Sequence, residues 1–132
     1  MLTFSYSADK EKNVSAHFKV KEFHSLKDPA DLVKVDEKLV ELLENIRNFT
    51  GKPVIINSGY RSAAYNATIK GAVSNSQHVQ GKAADIRITG VTPARVAQIA
   101  ECFLGSSGGI GIYSTFIHVD VRTSCARWKG GY

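Results

Sequence analysis

The chain has 132 residues, 43% of them apolar, and a formal charge of +5. That length and apolar share allow one domain with a real core and exclude wholesale disorder. No apolar run is long enough for a membrane span, and the scattered basic residues form neither a nucleic-acid motif nor an aromatic-rich basic stripe, so the charge suits anionic partners without pointing to nucleic acid.

Residues 1–16 are polar and aperiodic and read as an N-terminal arm; residues 17–132 read as a single domain. The N-terminus lacks a basic start followed by an apolar stretch, so the expectation is synthesis in the cytoplasm without a secretory signal. Phe18, Val20 and Phe23 are short apolar anchors ahead of a turn at Pro29. Over 35–49, Val35, Leu39, Leu42, Leu43 and Ile46 recur at helical spacing, with Glu37, Glu41 and Glu44 outside and Gly51 and Pro53 as the stop. Val54–Ile56 reads as a short buried strand, 62–69 as a short helix, and 70–81 as a Gly/Ser/Asn loop.

Residues 83–88 alternate: Ala84, Ile86 and Ile88 take a core face, which puts Asp85 on the opposite, open face. A helix over 93–104 has Thr92 as N-cap, Pro93 in its first turn and an apolar stripe of Val96, Ile99, Ala100 and Phe103; Cys102 within it reads as a small core residue. GSSGG at 105–109 reads as a flexible turn, followed by strands at 110–113 and 116–122 around a Ser114-Thr115 hairpin turn. In the last strand Ile117, Val119 and Val121 face the core, and His118, Asp120 and Arg122 face away. Cys102 and Cys125 are too few for a disulfide framework, and no bridge between them is supported.

Two strands therefore each place acid or imidazole groups off the core. His78 ends a loop just before Asp85, and Gly81 lets the chain turn sharply between them. With His118 from a neighbouring antiparallel strand, these are the residue types of a three-ligand catalytic zinc site with water in the fourth position. Spacing alone favours a loop histidine, an ordinary aspartate and an unrelated strand histidine over a metal site. His17 and His24 have no ligand spacing to the three and read as surface or core-edge residues.

Ser76-x-His78-x-x-Gly81-x-Ala83-x-Asp85 with a late His118 resembles the zinc-peptidase superfamily of lysostaphin, D-Ala-D-Ala carboxypeptidases and the hedgehog signalling domain. The nearest branch is the D-Ala-D-Ala carboxypeptidase and phage endolysin group. His17-Phe18, Glu22-Phe23, Gly51-Lys52-Pro53, Ser58-Gly59-Tyr60-Arg61, Asn66, Gly109–Tyr113 and Ile117–Arg122 are similar to that group and in its order, over about 17–122. The resemblance implies an α+β fold, a small and mainly antiparallel sheet with helices packed on one face. It implies Zn²⁺ at His78, Asp85 and His118, and hydrolysis of peptidoglycan stem or cross-bridge peptides by a carboxypeptidase or endopeptidase. Arg61 matches an arginine that supports the substrate carbonyl or the developing oxyanion, or is a turn arginine in a surface pair. Tyr60 is a substrate-side or packing residue; Ser76 binds a substrate carboxylate or orders its own loop.

Relatives place an acid three residues before the last histidine, or a histidine two before; here those positions hold Thr115 and Phe116. Asp120 is then the base candidate, with a second-shell partner of His118 or an ion pair to Arg122 as its other readings. The expected protein is a monomer acting on the cell wall, as a phage or prophage lysis protein in one setting. Its rivals are a zinc-stabilised binding module without catalysis and a virion component of the same fold. Loop 70–77 and segment 123–132 are the expected determinants of endo- against carboxypeptidase action.

Overall fold

The computed structural model describes residues 1–69, 71–73 and 75–130; Lys70, Ser74, Gly131 and Tyr132, which fall in the two expected specificity segments, lie outside the described residues. The first sixteen residues are not an irregular arm. Leu2–Ser5 forms β1, followed by a single helical turn, α1, at Tyr6–Asp9, and β1 pairs antiparallel with β2, Leu32–Val35, in the register Leu2↔Val35 to Ser5↔Leu32. A 3-10 turn at Val20–Phe23 lies between them and buries Val20 and Phe23. Val35, expected to open the first long helix, instead ends β2.

That helix, α2, spans Glu37–Thr50. Asp36 caps it by accepting from the Lys38 N–H, and Gly51 ends it at φ 65°, a left-handed conformation that glycine adopts without steric cost. Leu39, Leu42, Leu43 and Ile46 are its buried stripe. Burying each such side chain contributes about 1.5–3 kcal/mol. Then follow β3, Ile55–Ser58; α3, Ala63–Ala67; β4, Ala83–Arg87; and α4, Pro93–Leu104, capped by Thr92 as its sequence predicts. The inward residues of α4 are Val96, Ala97, Ile99 and Ala100, while Phe103 and Cys102 are exposed, against the reading that placed both in the core. Both cysteines are free.

The remaining strands are β5, Gly108–Ile112; β6, Ile117–Asp120; and β7, Cys125–Lys129. β5 starts inside the segment read as a flexible turn, and β7 falls in the tail, which the sequence pattern had not marked as a strand. The sheet order is β3-β4-β6-β5-β7, antiparallel throughout except for the parallel pair β5/β7. α4 packs on β5 and β6 and against α2. Ala84, Ile86, Ile110, Ile117 and Val119 meet the helices in one apolar core. The fold is α+β, as the sequence implies. Among the described residues no helix is long and apolar enough to cross a membrane.

Candidate metal centre

The sheet register assembles the site. Asp85 on β4 pairs with His118 on β6, His118 with Gly111 on β5, and Gly111 with Trp128 on β7; Ser58 on β3 pairs with Asp85 beyond a bulge. Directly paired residues project to the same face, so one transverse row, Ser58–Asp85–His118–Gly111–Trp128, crosses all five strands. The next row on that face pairs Ala83, Asp120 and Gly109. Small residues flank the functional ones for a reason. A Cβ on Gly109 would run into the Asp120 carboxyl group, and one on Gly111 would run into the Trp128 ring.

His78 reaches this row from the turn before β4. Gly81, at φ 74°, lets the chain bend there and lies so close to β2 that a Cβ would come within 2.8 Å of the Lys34 carbonyl oxygen. The Asp36 N–H also donates to the Gly81 carbonyl at 2.8 Å. On the other side, Gly59 packs directly on the Phe23 backbone, and its carbonyl accepts from His78 Nδ1 at 2.7 Å. This bond puts the His78 proton on Nδ1 and leaves Nε2 as a lone pair 3.3 Å from Asp85 Oδ1. His118 is arranged the other way round. Its Nε2 makes the shorter bond, 2.7 Å, to Asp120 Oδ2, and its Nδ1 faces Asp85 Oδ1 at 3.1 Å. His78 Nε2, His118 Nδ1 and Asp85 Oδ1 thus point at one another, an arrangement that suits a shared proton or a cation between them.

His78, Asp85 and His118 each offer a ligand atom, all within 4.8 Å of one another. Ligands at about 2.0–2.1 Å from a tetrahedral zinc lie roughly 3.3 Å apart, which the two nitrogen–oxygen separations match. The donor set therefore fits Zn²⁺. Burial pushes the Asp85 carboxyl up, but His118 and His78 beside it outweigh that and hold the group well below the usual carboxylate range. Burial likewise opposes charge on His118, yet Asp120 and then Asp85 raise it above the ordinary imidazole value.

The profile of the family described as Peptidase M15 matches residues 16–120. The chain belongs to the Peptidase M15 family. It is 40% identical over 109 residues to the "Probable peptidoglycan L,D-endopeptidase MepK" of Haemophilus influenzae, covering 74% of this chain and 55% of that protein. It is 33% identical over 94 residues to the "Peptidoglycan L,D-endopeptidase MepK" of Escherichia coli K12, covering 65% of this chain and 50% of that one. The chain thus spans about half the length of these curated relatives. No solved structure matches it significantly.

In this M15 chain the other expected site residues separate. Arg61 stays at the site: Nη2 lies 3.6 Å from Asp85 Oδ2, with Nε on Ser58 Oγ and Nη1 on Asn66 Oδ1, both at 3.3 Å. The buried Asn66 ties it onward to the Val73 carbonyl at 2.7 Å. Asp28, 4% exposed, anchors the start of α3 by accepting from Ser62 N–H and Oγ at 2.8 and 2.7 Å. Neither Asn66 nor Asp28 was given a role on sequence grounds. Of the two readings of Tyr60 the structure shows the packing one: it is buried in the core and is not among the residues that line the cleft, against its placement beside the substrate. Ser76 lines the cleft, and its Oγ accepts from the His78 N–H at 3.2 Å, which orders the loop. Thr115 lies in the exposed β5–β6 turn, and Phe116 stacks on Tyr113 at 4.7 Å. His17 pairs with Glu44 at 2.6 Å and His24 stacks on Tyr6 at 3.9 Å, both apart from the metal-facing cluster.

Asp120 is 0% exposed, on a face that the alternation marked as open. Besides His118 it accepts from Arg122 through Nε at 2.8 Å, Nη2 at 2.6 Å and the backbone N–H at 3.1 Å. Burial pushes its carboxyl up, but His118 and Arg122 outweigh that and hold it well below the usual range. Trp128 roofs this part of the site, its ring 5.2 Å from that of His118, with Nε1 donating to the Tyr113 hydroxyl at 3.0 Å. The cleft over the cluster holds about 370 Å³ and is walled by Arg61, Val73, Tyr113, Phe116, Arg122 and Trp128. The Gln77 side-chain oxygen, also at the cleft, is buried without a hydrogen-bond partner among the described residues.

Proposed function

We propose that the chain is a zinc-dependent peptidase that hydrolyses peptidoglycan peptides within the cell wall, as an endopeptidase. The observation that carries this is the convergence of His78 Nε2, His118 Nδ1 and Asp85 Oδ1, with both imidazole tautomers fixed from behind by Gly59 and Asp120. The M15 family and the L,D-endopeptidase names of its relatives support the reaction and substrate class.

Zinc bound by the three residues supplies an acidified water and a Lewis acid for the scissile carbonyl. The protein's own groups do the rest. Arg61, held by Ser58 and Asn66, presents a fixed cation beside Asp85, where it can stabilise the negative charge that develops on the carbonyl oxygen. Asp120 has no access to the cleft and has its oxygens committed to Arg122 and His118, so its role is to hold the His118 ring and tautomer. Ser76 fixes the loop that delivers His78.

Purified zinc-loaded protein incubated with peptidoglycan, with a chelated control, tests the reading by mass spectrometry. New amino termini and conversion of cross-linked dimers to monomers are expected. Release of single terminal residues would make it a carboxypeptidase. No release with zinc bound would leave the zinc-stabilised binding module.

A further inference from the structure

A chain of alternating charged and imidazole groups runs through the site, Arg61–Asp85–His118–Asp120–Arg122, its first link an ion pair at 3.6 Å and the others within hydrogen-bond distance. Arg61 stands at its Asp85 end. Arg122 stands at the other end, reached through the opposite nitrogen of the His118 ring. The proposed reaction assigns work to Arg61 and none to Arg122, although both line the cleft.

Arg122 differs from a merely structural arginine. Arg127, on β7, has Nε, Nη1 and Nη2 all bonded, to Glu101 and to the carbonyls of Gly108, Ala126, Gly105 and Ser107. Arg61 likewise engages all three of its nitrogens. Arg122 gives Nε and Nη2 to the fully buried Asp120, which fixes the plane of the fork, while Nη1 has no hydrogen bond among the described residues. The guanidinium carbon lies over the Trp128 ring, 5.6 Å from its centroid, and the side chain is 28% exposed. The result is an oriented guanidinium with Nη1 uncommitted, on a side chain that lines both the cleft and a second groove beside Leu104 and Val121. Arginine in a fixed plane is suited to a planar anion, and the chemistry it selects is a carboxylate.

We propose that Arg122 is a specificity residue whose Nη1 edge receives a substrate carboxylate on the His118–Trp128 side of the scissile bond, so that peptides with a free carboxylate there are preferred over their carboxamides. This rests on the peptidase reading above and adds to it the charge the substrate must carry.

The test compares a synthetic cross-linked stem-peptide dimer bearing a free carboxylate next to the scissile bond with the same dimer amidated at that position. Zinc-loaded wild-type protein should favour the acid by roughly ten- to a hundredfold in kcat/KM, the range of a lost charge-assisted hydrogen bond. Arg122→Gln should bring the two substrates to similar rates, and R122K, which keeps the charge without the fork, should retain only part of the preference. A structural role alone would lower both substrates by the same factor and leave the ratio intact, and that result overturns the proposal, as does equal cleavage by the wild type. If neither peptide is cut, the peptidase reading fails separately. Calorimetric binding of the two peptides to the same protein then decides the point, equal affinity counting against Arg122 as the reader.

Discussion

Replacing Asp120 by asparagine separates the roles open to that residue. The carboxylate meets four donors, His118 Nε2, Arg122 Nε, Arg122 Nη2 and the Arg122 backbone N–H, at 2.7, 2.8, 2.6 and 3.1 Å. Two carboxylate oxygens have lone pairs for all four; a carboxamide has one oxygen and an NH₂ group that only donates. If the amide nitrogen takes the Oδ2 position, it confronts His118 Nε2 and Arg122 Nη2. If it takes the Oδ1 position, it confronts the other two. The relief available in the first case is for His118 to accept at Nε2 and carry its proton on Nδ1, the nitrogen that faces Asp85. That removes a lone pair from the metal side.

Outer partners of metal-bound histidines typically contribute 10–100-fold to affinity, about 1.4–2.7 kcal/mol. Asp120→Asn should therefore raise the zinc dissociation constant by about that factor, read by competition with a chromophoric chelator. At saturating zinc the metal restores the tautomer, and turnover should return to within about tenfold of the wild type. A general base behaves in the opposite sense: its loss leaves zinc in place and costs about 10²–10⁴-fold in rate. Zinc affinity unchanged to about twofold, with turnover down a hundredfold or more, would refute the positioning role. Asparagine is preferred to alanine because removing one partner of a buried ion pair costs about 3–5 kcal/mol and would confound folding with chemistry.

Arg61→Ala should lower turnover by about a hundredfold or more while zinc affinity changes far less; loss of zinc instead would assign Arg61 to supporting Asp85. His118, whose folded value lies above the ordinary imidazole value through Asp120 and Asp85 despite burial, stabilises the metal-free fold fully below its unfolded value and loses that contribution as pH rises through the folded one. Zinc must displace the same proton, so its affinity should climb with pH across roughly pH 5–8, and a flat zinc titration over that range would remove His118 from the ligand set. Gly109→Ala places a methyl group where the Asp120 carboxyl sits, and should cost about 1–3 kcal/mol, seen as a melting temperature lower by several degrees; an unchanged melting temperature would deny the close approach.

What the sequence made legible follows from how local each signal is. α2 and α4 each combine a cap, a stop and a period of apolar residues within one segment, so both were readable to within a residue or two. β4 and β6 alternate cleanly, and their alternation alone lifted Asp85 and His118 off the core face. β1 and β2 are four residues each and owe their existence to a pairing between segments about thirty positions apart, which no local period reports. β7 reads as a basic tail because its burial comes from a parallel partner, β5, whose register is equally non-local. Missing β7 meant missing Trp128, and with it the roof over His118 and the aromatic surface beside Arg122.

The face that alternation assigns to solvent is where the reading was least complete, yet β5 held a clue to its contents. In Gly108-Gly109-Ile110-Gly111-Ile112 the isoleucines keep the core face, and the other face has no side chain at positions 109 and 111. A sheet face that omits side chains at every second residue of an inner strand is making room for something supplied by its neighbours. Here the neighbours supply the Asp120 carboxyl group from β6 and the Trp128 ring from β7. Beside His118-x-Asp120 on the paired strand, the Gly109-x-Gly111 spacing leaves room for a second layer above the sheet, Asp120 buried within it and Trp128 half-buried at its edge. It is that layer which buries Asp120, read from the alternation as facing solvent, against His118 and Arg122.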